Sequence, residues 1–139
     1  MKFVVDTSVT MRWCFLDGSA KDLEYAGLVL DSIESESATV PAIWGLEVAN
    51  VLVRAERHGS IERSITENFI TTLEGLRIVV DEKTSEYSLT DILQVSRTYN
   101  LTAYDASYLE LAKRLGIPLA TLDEKLIKAA RKAGVERFA

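Results

Sequence analysis

Five short β-forming runs recur along the chain: Lys2 to Val5, Ala38 to Val40, Arg77 to Val80, Leu119 to Thr121 and Val135 to Phe138. Stretches with helical spacing separate them. Between Lys21 and Glu36, for example, Leu23, Ala26, Gly27, Leu30 and Ile33 recur at the period of a helix face. Such alternation points to a parallel sheet covered by helices on both faces, because parallel strands need crossover connections that lie on those faces. Further helices are expected over 41–58, 60–73, 84–99, 102–115 and 123–133, with a short helix or turn over 7–15. Pro41 suits a first helical turn, Ser60 can cap the helix after it, and Gly59, Gly116 and Gly134 sit where helices end. A chain of 139 residues, 47% hydrophobic, is expected to form one domain, 1–139, around its own core.

Several function classes drop out early. A single cysteine, Cys14, excludes an internal disulfide and fits a reducing cytosol. With only one histidine, His58, a zinc site of the usual Cys/His kind is excluded. Met1-Lys2 leads into only a short apolar run before Asp6, so no signal peptide is expected, and no apolar stretch is long enough to span a membrane. A cytoplasmic protein is the expectation. The net charge of −5 argues against a broad basic nucleic-acid surface. The charge is uneven, however, and Lys113, Arg114, Lys125, Lys128, Arg131, Lys132 and Arg137 leave room for a local phosphate-facing patch.

Four acids stand in apolar surroundings. Asp6 closes Phe3-Val4-Val5, Glu47 interrupts the segment from Ala42 to Ala49, Asp105 lies at a helix start, and Asp123 follows Leu119-Ala120-Thr121-Leu122. A charge in such a setting is costly unless it is paired or bound to a cation. Taken singly, three have structural explanations. Asp6 can cap the turn after it, Thr102 and Asp105 have the spacing of a capping box, and so do Thr121 and Glu124, leaving Asp123 to favour the helix dipole. Glu47 is harder to explain this way, since it borders an apolar face and has no well-placed partner. In a parallel α/β fold all four fall at the carboxyl edge of the sheet, where ligands bind. Carboxylates about 4 Å apart repel by roughly 4 kcal/mol per pair at an effective dielectric of about 20, so a shared site calls for a hard divalent cation, Mg²⁺ or Mn²⁺, in an all-oxygen set.

The same residues carry a family resemblance. Val4-Val5-Asp6-Thr7-Ser8, Pro41 through Glu47 to Asn50, Tyr104-Asp105-Ala106 with Leu109 and Ala112, and Ala120-Thr121-Leu122-Asp123 with Leu126 occur in the order and at the spacing of PIN-domain ribonucleases. In particular, the chain resembles the VapC-type toxins of toxin–antitoxin pairs along essentially its whole length. The resemblance implies a three-layer α/β/α PIN-like domain with a central parallel sheet of about five strands. It implies Mg²⁺-dependent cleavage of single-stranded or loop RNA by metal-activated water, leaving 5′-phosphate and 3′-hydroxyl ends. Asp6, Glu47, Asp105 and Asp123 match the catalytic, metal-binding quartet, and Ser8, Asn50 and Thr121 match supporting polar positions. A cognate VapB-type antitoxin and a homodimer are implied as partners.

The remaining candidates read more plainly. Arg12 follows Asp6 on the same edge and is a candidate phosphate contact. Cys14 lies among Trp13, Phe15 and Leu16 and reads as core. His58 reads as a helix-end cation, Trp13 and Trp44 as core or interface, and the group Lys128, Arg131 and Lys132 as a solvated helix face. Two other functions compete with a nuclease: a PIN-like module that binds RNA or protein without cutting, and an aspartyl-phosphate phosphotransferase of haloacid-dehalogenase type. The second wants an acid two residues after its nucleophile, and that position is Ser8.

Overall fold

A computed structural model describes residues 2–139. Its centre is a parallel sheet of four strands: β1 (Phe3–Val5), β2 (Ala38–Val40), β3 (Ile78–Val80) and β4 (Leu119–Ala120), in the order β3-β2-β1-β4. The register pairs Val4 with Thr39 on one side and with Leu119 on the other. The chain therefore builds outward from β1 through β2 to β3, then crosses back to lay β4 on the opposite side of β1. The switch between β1 and β4 opens a crevice beyond their carboxyl ends.

Alternation along β1 divides the core. Val4 and Leu119 point to one face, where they pack with Leu109, Leu111 and Leu126; Phe3, Val5 and Ala120 point to the other, against Val29 and Ile33. All three residues of β1 are buried, as expected for a strand covered on both faces. Helix α2 (Ala20–Ile33) covers the second face, capped by Ser19, whose hydroxyl accepts from Asp22 N. The first face carries α5 (Thr84–Tyr87), a π-helical turn at Ser88–Ile92, α6 (Leu93–Tyr99), α7 (Ala103–Leu115) and α8 (Glu124–Lys132). The short α1 (Thr7–Thr10) continues into a 3₁₀ turn, Met11–Trp13. A third cluster, Met11, Val48, Leu52 and Phe69, ties this segment to α3 (Trp44–Arg57) and α4 (Arg63–Glu74). The three-layer α/β/α arrangement agrees with expectation.

Three details differ. The expected fifth strand, Val135 to Phe138, makes only one parallel bridge, Leu119 to Arg137. Two backbone bonds, from Leu119 N to Glu136 O at 2.9 Å and from Phe138 N to Leu119 O at 3.0 Å, and side chains hold this tail: Phe138 stacks on Phe3 with ring centroids 4.0 Å apart, and Tyr25 donates to the Phe138 carbonyl at 2.7 Å. Helix α3 starts at Trp44 rather than at Pro41, which is buried just beyond β2. Ser60 does not cap α4, whose N-cap is Glu62.

Candidate active site

Asp6 leaves the end of β1 and caps α1, its Oδ1 accepting from Val9 N at 3.4 Å. It is only 4% exposed. Two hydroxyls serve it: Ser8 donates to Oδ1 at 2.5 Å and Thr121 to Oδ2 at 2.7 Å. Each of these hydroxyls also accepts a backbone proton, from Leu122 N at 2.9 Å and Asp123 N at 3.0 Å respectively. Ser8 and Thr121 thus lock the loop after β4 onto the start of α1. Arg137 braces the same loop, its guanidinium donating to the Thr121 carbonyl at 2.9 Å. Despite these bonds, burial raises the Asp6 carboxyl to about 6, with Asp123 adding repulsion.

Asp123 is itself the N-cap of α8, its Oδ1 accepting from Lys125 N at 2.9 Å and Leu126 N at 3.3 Å. The Thr121–Glu124 capping box does not form, because the Thr121 hydroxyl accepts from Asp123 N and Asp123 is the N-cap. Thr102 caps α7 by accepting from Asp105 N at 3.1 Å, the forward half of the expected box. The Asp105 carboxyl, half-buried in the first turn of α7, is raised by burial, then by Asp123 and Glu47; the Thr102 hydroxyl and Lys125 partly offset this.

Glu47 arrives from the first turn of α3. Its Oε1 accepts from Tyr108 OH at 2.5 Å and from Thr7 Oγ1 at 3.1 Å, and those two hydroxyls are 2.9 Å apart. Burial and the neighbouring Glu47 carboxylate push the Tyr108 hydroxyl far above its ordinary value, so it stays a donor. Thr7 and Tyr108 are contributors that the sequence reading missed. The signal was present: Thr7 follows Asp6, and Tyr108 lies one turn after Asp105 on the same helix face.

The four acids therefore stand on one edge and feel one another. They do not form a closed cage. Among the described residues no group of three His, Cys, Asp or Glu side chains is close enough to hold an ion as placed. Asp6, Glu47 and Asp123 each offer carboxylate oxygens to hydroxyl or backbone donors. The donor set, all carboxylate oxygen with raised Asp6 and Asp105, fits a hard divalent cation in chemistry. Binding one would exchange some of these hydrogen bonds for metal–oxygen contacts.

Other candidates fall outside this network. Asn50 is exposed on α3. Arg12 is ion-paired with Asp17. Cys14 is half-buried and its thiol is pushed up by burial, consistent with core. Trp13 and Trp44 donate to Ala26 O and Thr10 Oγ1, as core residues do. His58 caps α3, exposed, with Nδ1 2.8 Å from Arg54 O.

A family model described as "PIN domain" matches residues 3–132. The chain belongs to the PIN-domain family. Members of this family are generally nucleases that use divalent metal ions. Among solved structures, this PIN domain is similar to PAE2754 from Pyrobaculum aerophilum: TM-score 0.66 and 21% identity, over 93% of this chain and 87% of that one. It is also similar to FitAcB from Neisseria gonorrhoeae: TM-score 0.56 and 22% identity, over 99% and 96% of the two chains. At such identities the likeness speaks for the fold. No curated protein sequence matches this PIN domain. No helix among its described residues is long and apolar enough to cross a membrane.

The carboxyl shifts predict how cation-free protein responds to pH. Asp6 is raised when folded, so its contribution to stability is full below its unfolded value of 3.8 and is lost as pH rises through about 6. That range is worth about 3 kcal/mol, and Asp105 acts in the same direction. Asp81 is lowered instead, so its contribution fails only as pH falls below 3.8. In EDTA, the melting temperature should rise between pH 7.5 and about 5 and fall again in stronger acid. A flat profile between pH 7.5 and 5 in a thermal melt would show that Asp6 is not buried as described.

Proposed function

We infer that this PIN domain is a divalent-metal-dependent endoribonuclease, the toxin of a toxin–antitoxin pair, cutting single-stranded or loop RNA. One observation carries the reading: Asp6 after β1, Glu47 on α3, Asp105 on α7 and Asp123 after β4 act on one another electrostatically, Asp123 raising Asp6, and Asp123 with Glu47 raising Asp105, beyond what burial does. Asp6, Asp105 and Asp123 would hold the ion, with Glu47 completing the set. Mg²⁺ is the natural occupant and Mn²⁺ an effective substitute. When bound, such an ion acidifies water and offsets charge on the reacting phosphate.

The chain's own residues do the positioning. Ser8 and Thr121 hold Asp6 and keep the Asp123 loop against it. Thr7 and Tyr108 hold the Glu47 carboxylate by its Oε1. Hydrolysis adds water across the phosphodiester, breaking the bond to the 3′-oxygen and leaving 5′-phosphate and 3′-hydroxyl ends. The toxin role rests on the VapC-type motifs, and the likeness to FitAcB is in keeping with an antitoxin partner. A homodimer goes with the same reading. Family membership and a complete quartet favour catalysis over a silent binding module.

The test is cleavage of a mixed-sequence single-stranded RNA by purified protein with Mg²⁺, Mn²⁺ or EDTA, with the new ends mapped. Cleavage that needs the metal and leaves 5′-phosphates is expected. Cleavage undiminished by EDTA would overturn the metal assignment, and binding without any cleavage would favour the silent module.

A further inference from the structure

The lysines that the sequence presents as one solvated face are divided by the fold. Arg131 turns away with Val135, Glu136 and Arg137. Lys125, Lys128 and Lys132 instead line a groove together with Thr98, Tyr99 and Asn100 at the end of α6, over a floor that includes Ala129. Their i, i+3, i+7 spacing puts three ammonium groups along one side of α8, over about 10 Å. Outside the groove, Lys113 Nζ lies 5.9 Å from the centroid of the Tyr99 ring. Among the described residues none of these four lysines is in an ion pair. A chain of net charge −5 has thus gathered three lysines without an ion-pair partner in one groove.

Both walls of the groove adjoin, along the chain, segments that carry the acids. The α8 wall starts directly after Asp123, and Lys125 donates its backbone N–H to Asp123 Oδ1 at 2.9 Å. The α6 wall ends at Asn100, two residues before Thr102, which caps the helix turn carrying Asp105. Asn100 takes a left-handed conformation, φ 53°, and this directs the chain from the groove to that turn.

We propose that the groove between α8 and the end of α6 binds the phosphate backbone of single-stranded RNA, with Lys125, Lys128 and Lys132 as the phosphate contacts. The proposal rests on the ribonuclease reading above and says along which surface the strand leaves the site. Ammonium groups supply affinity without reading sequence. Thr98 and Asn100 add hydrogen-bonding groups for sugar hydroxyls or base edges. An acidic protein segment would satisfy the lysines equally, but a phosphodiester strand also accounts for both walls being continuous in the chain with the segments that carry Asp123 and Asp105.

The experiment measures binding of a labelled single-stranded RNA by fluorescence anisotropy against salt, in the Asp105→Asn background so that cleavage does not intervene. Lys128→Gln with Lys132→Gln should weaken binding about 10- to 25-fold at 0.1 M salt and reduce the log–log salt slope by about 1.4, or about 0.7 per lost contact. Arg57→Gln with Arg63→Gln removes the same charge from α3 and α4 and should leave both quantities unchanged. If the two pairs behave alike while the unsubstituted protein cuts RNA, the groove assignment falls and the nuclease reading stands. If the lysine pair loses binding of polyglutamate but keeps that of RNA, the surface belongs to an acidic protein segment and the proposal is overturned. If the unsubstituted protein neither binds nor cuts RNA, the nuclease reading fails and takes the groove with it.

Discussion

Asp105→Asn is expected to lower RNA cleavage by at least about 10²-fold, the scale on which losing one charge-stabilising group costs an enzyme, while leaving the melting temperature in EDTA unchanged or raised. The two halves of this expectation have one cause. Asp105 is held high by burial and by the charges of Asp123 and Glu47, so its ionised form is a burden on the cation-free fold. Removing the charge relieves that burden. The helix cap survives, because it is the backbone N–H of residue 105 that bonds to Thr102. The price is a missing ligand: an amide cannot replace a carboxylate's charge toward a divalent cation. Calorimetric titration with Mg²⁺ or Mn²⁺ should accordingly show weakened binding beside the lost activity. Full cleavage by a folded Asp105→Asn protein would sink the assignment of this acid, and lost activity with a collapsed melt would show a structural role instead.

Much of this site was legible in the order of residues. Asp6, Glu47, Asp105 and Asp123 stand out because a charge in apolar sequence needs a reason, and strand ends place the first and last of them at one edge. The sheet was legible for a related reason: Phe3-Val4-Val5 and Ala38-Thr39-Val40 are short, β-forming and bounded. What the order of residues does not carry is how competing donors share an acceptor. Thr121 and Glu124 have the spacing of a capping box, yet Thr121 bonds Asp6, and Asp123 takes the cap. The pattern of acids likewise gave no hint that hydroxyls from Ser8 and Thr121 would serve Asp6, and those from Thr7 and Tyr108 would serve Glu47. Strand five was overestimated because Val135 and Phe138 satisfy a β pattern, while the tail pairs with Leu119 at a single bridge and otherwise packs by side chains, Phe138 stacking on Phe3 and Arg137 lying over Tyr25, 4.0 Å from its ring centroid.

The second large effect is expected away from the acids, at Arg114. Its guanidinium donates to Glu110 Oε2 at 2.8 Å and Asp81 Oδ2 at 2.8 Å, and it lies 4.3 Å from the centroid of the Tyr87 ring. The side chains of Arg114, Asp81 and Glu110 are only 16%, 11% and 5% exposed. One cation therefore neutralises two largely buried carboxylates. Arg114→Met keeps most of the packing volume but strands both acids, which should cost about 3 kcal/mol, toward the low end for breaking a buried pair. Lysine is a poor substitute, because a single ammonium cannot present the fork that reaches Glu110 and Asp81 together. The loss should also reach the site. Asp81 accepts from Thr84 Oγ1 at 3.0 Å, and Thr84 in turn accepts from Ala42 N at 3.0 Å, just before the helix that carries Glu47. Glu110 sits on the helix that carries Asp105 and Tyr108. Arg114 thus ties α7 to the start of α3, and with them Asp105 to Glu47. Urea unfolding of Arg114→Met at pH 7 should show the loss, whereas Arg114→Met with Asp81→Asn and Glu110→Gln should recover much of it. A single variant as stable as the parent would mean that water reaches these carboxylates freely and that Arg114 is not the tie between the two helices.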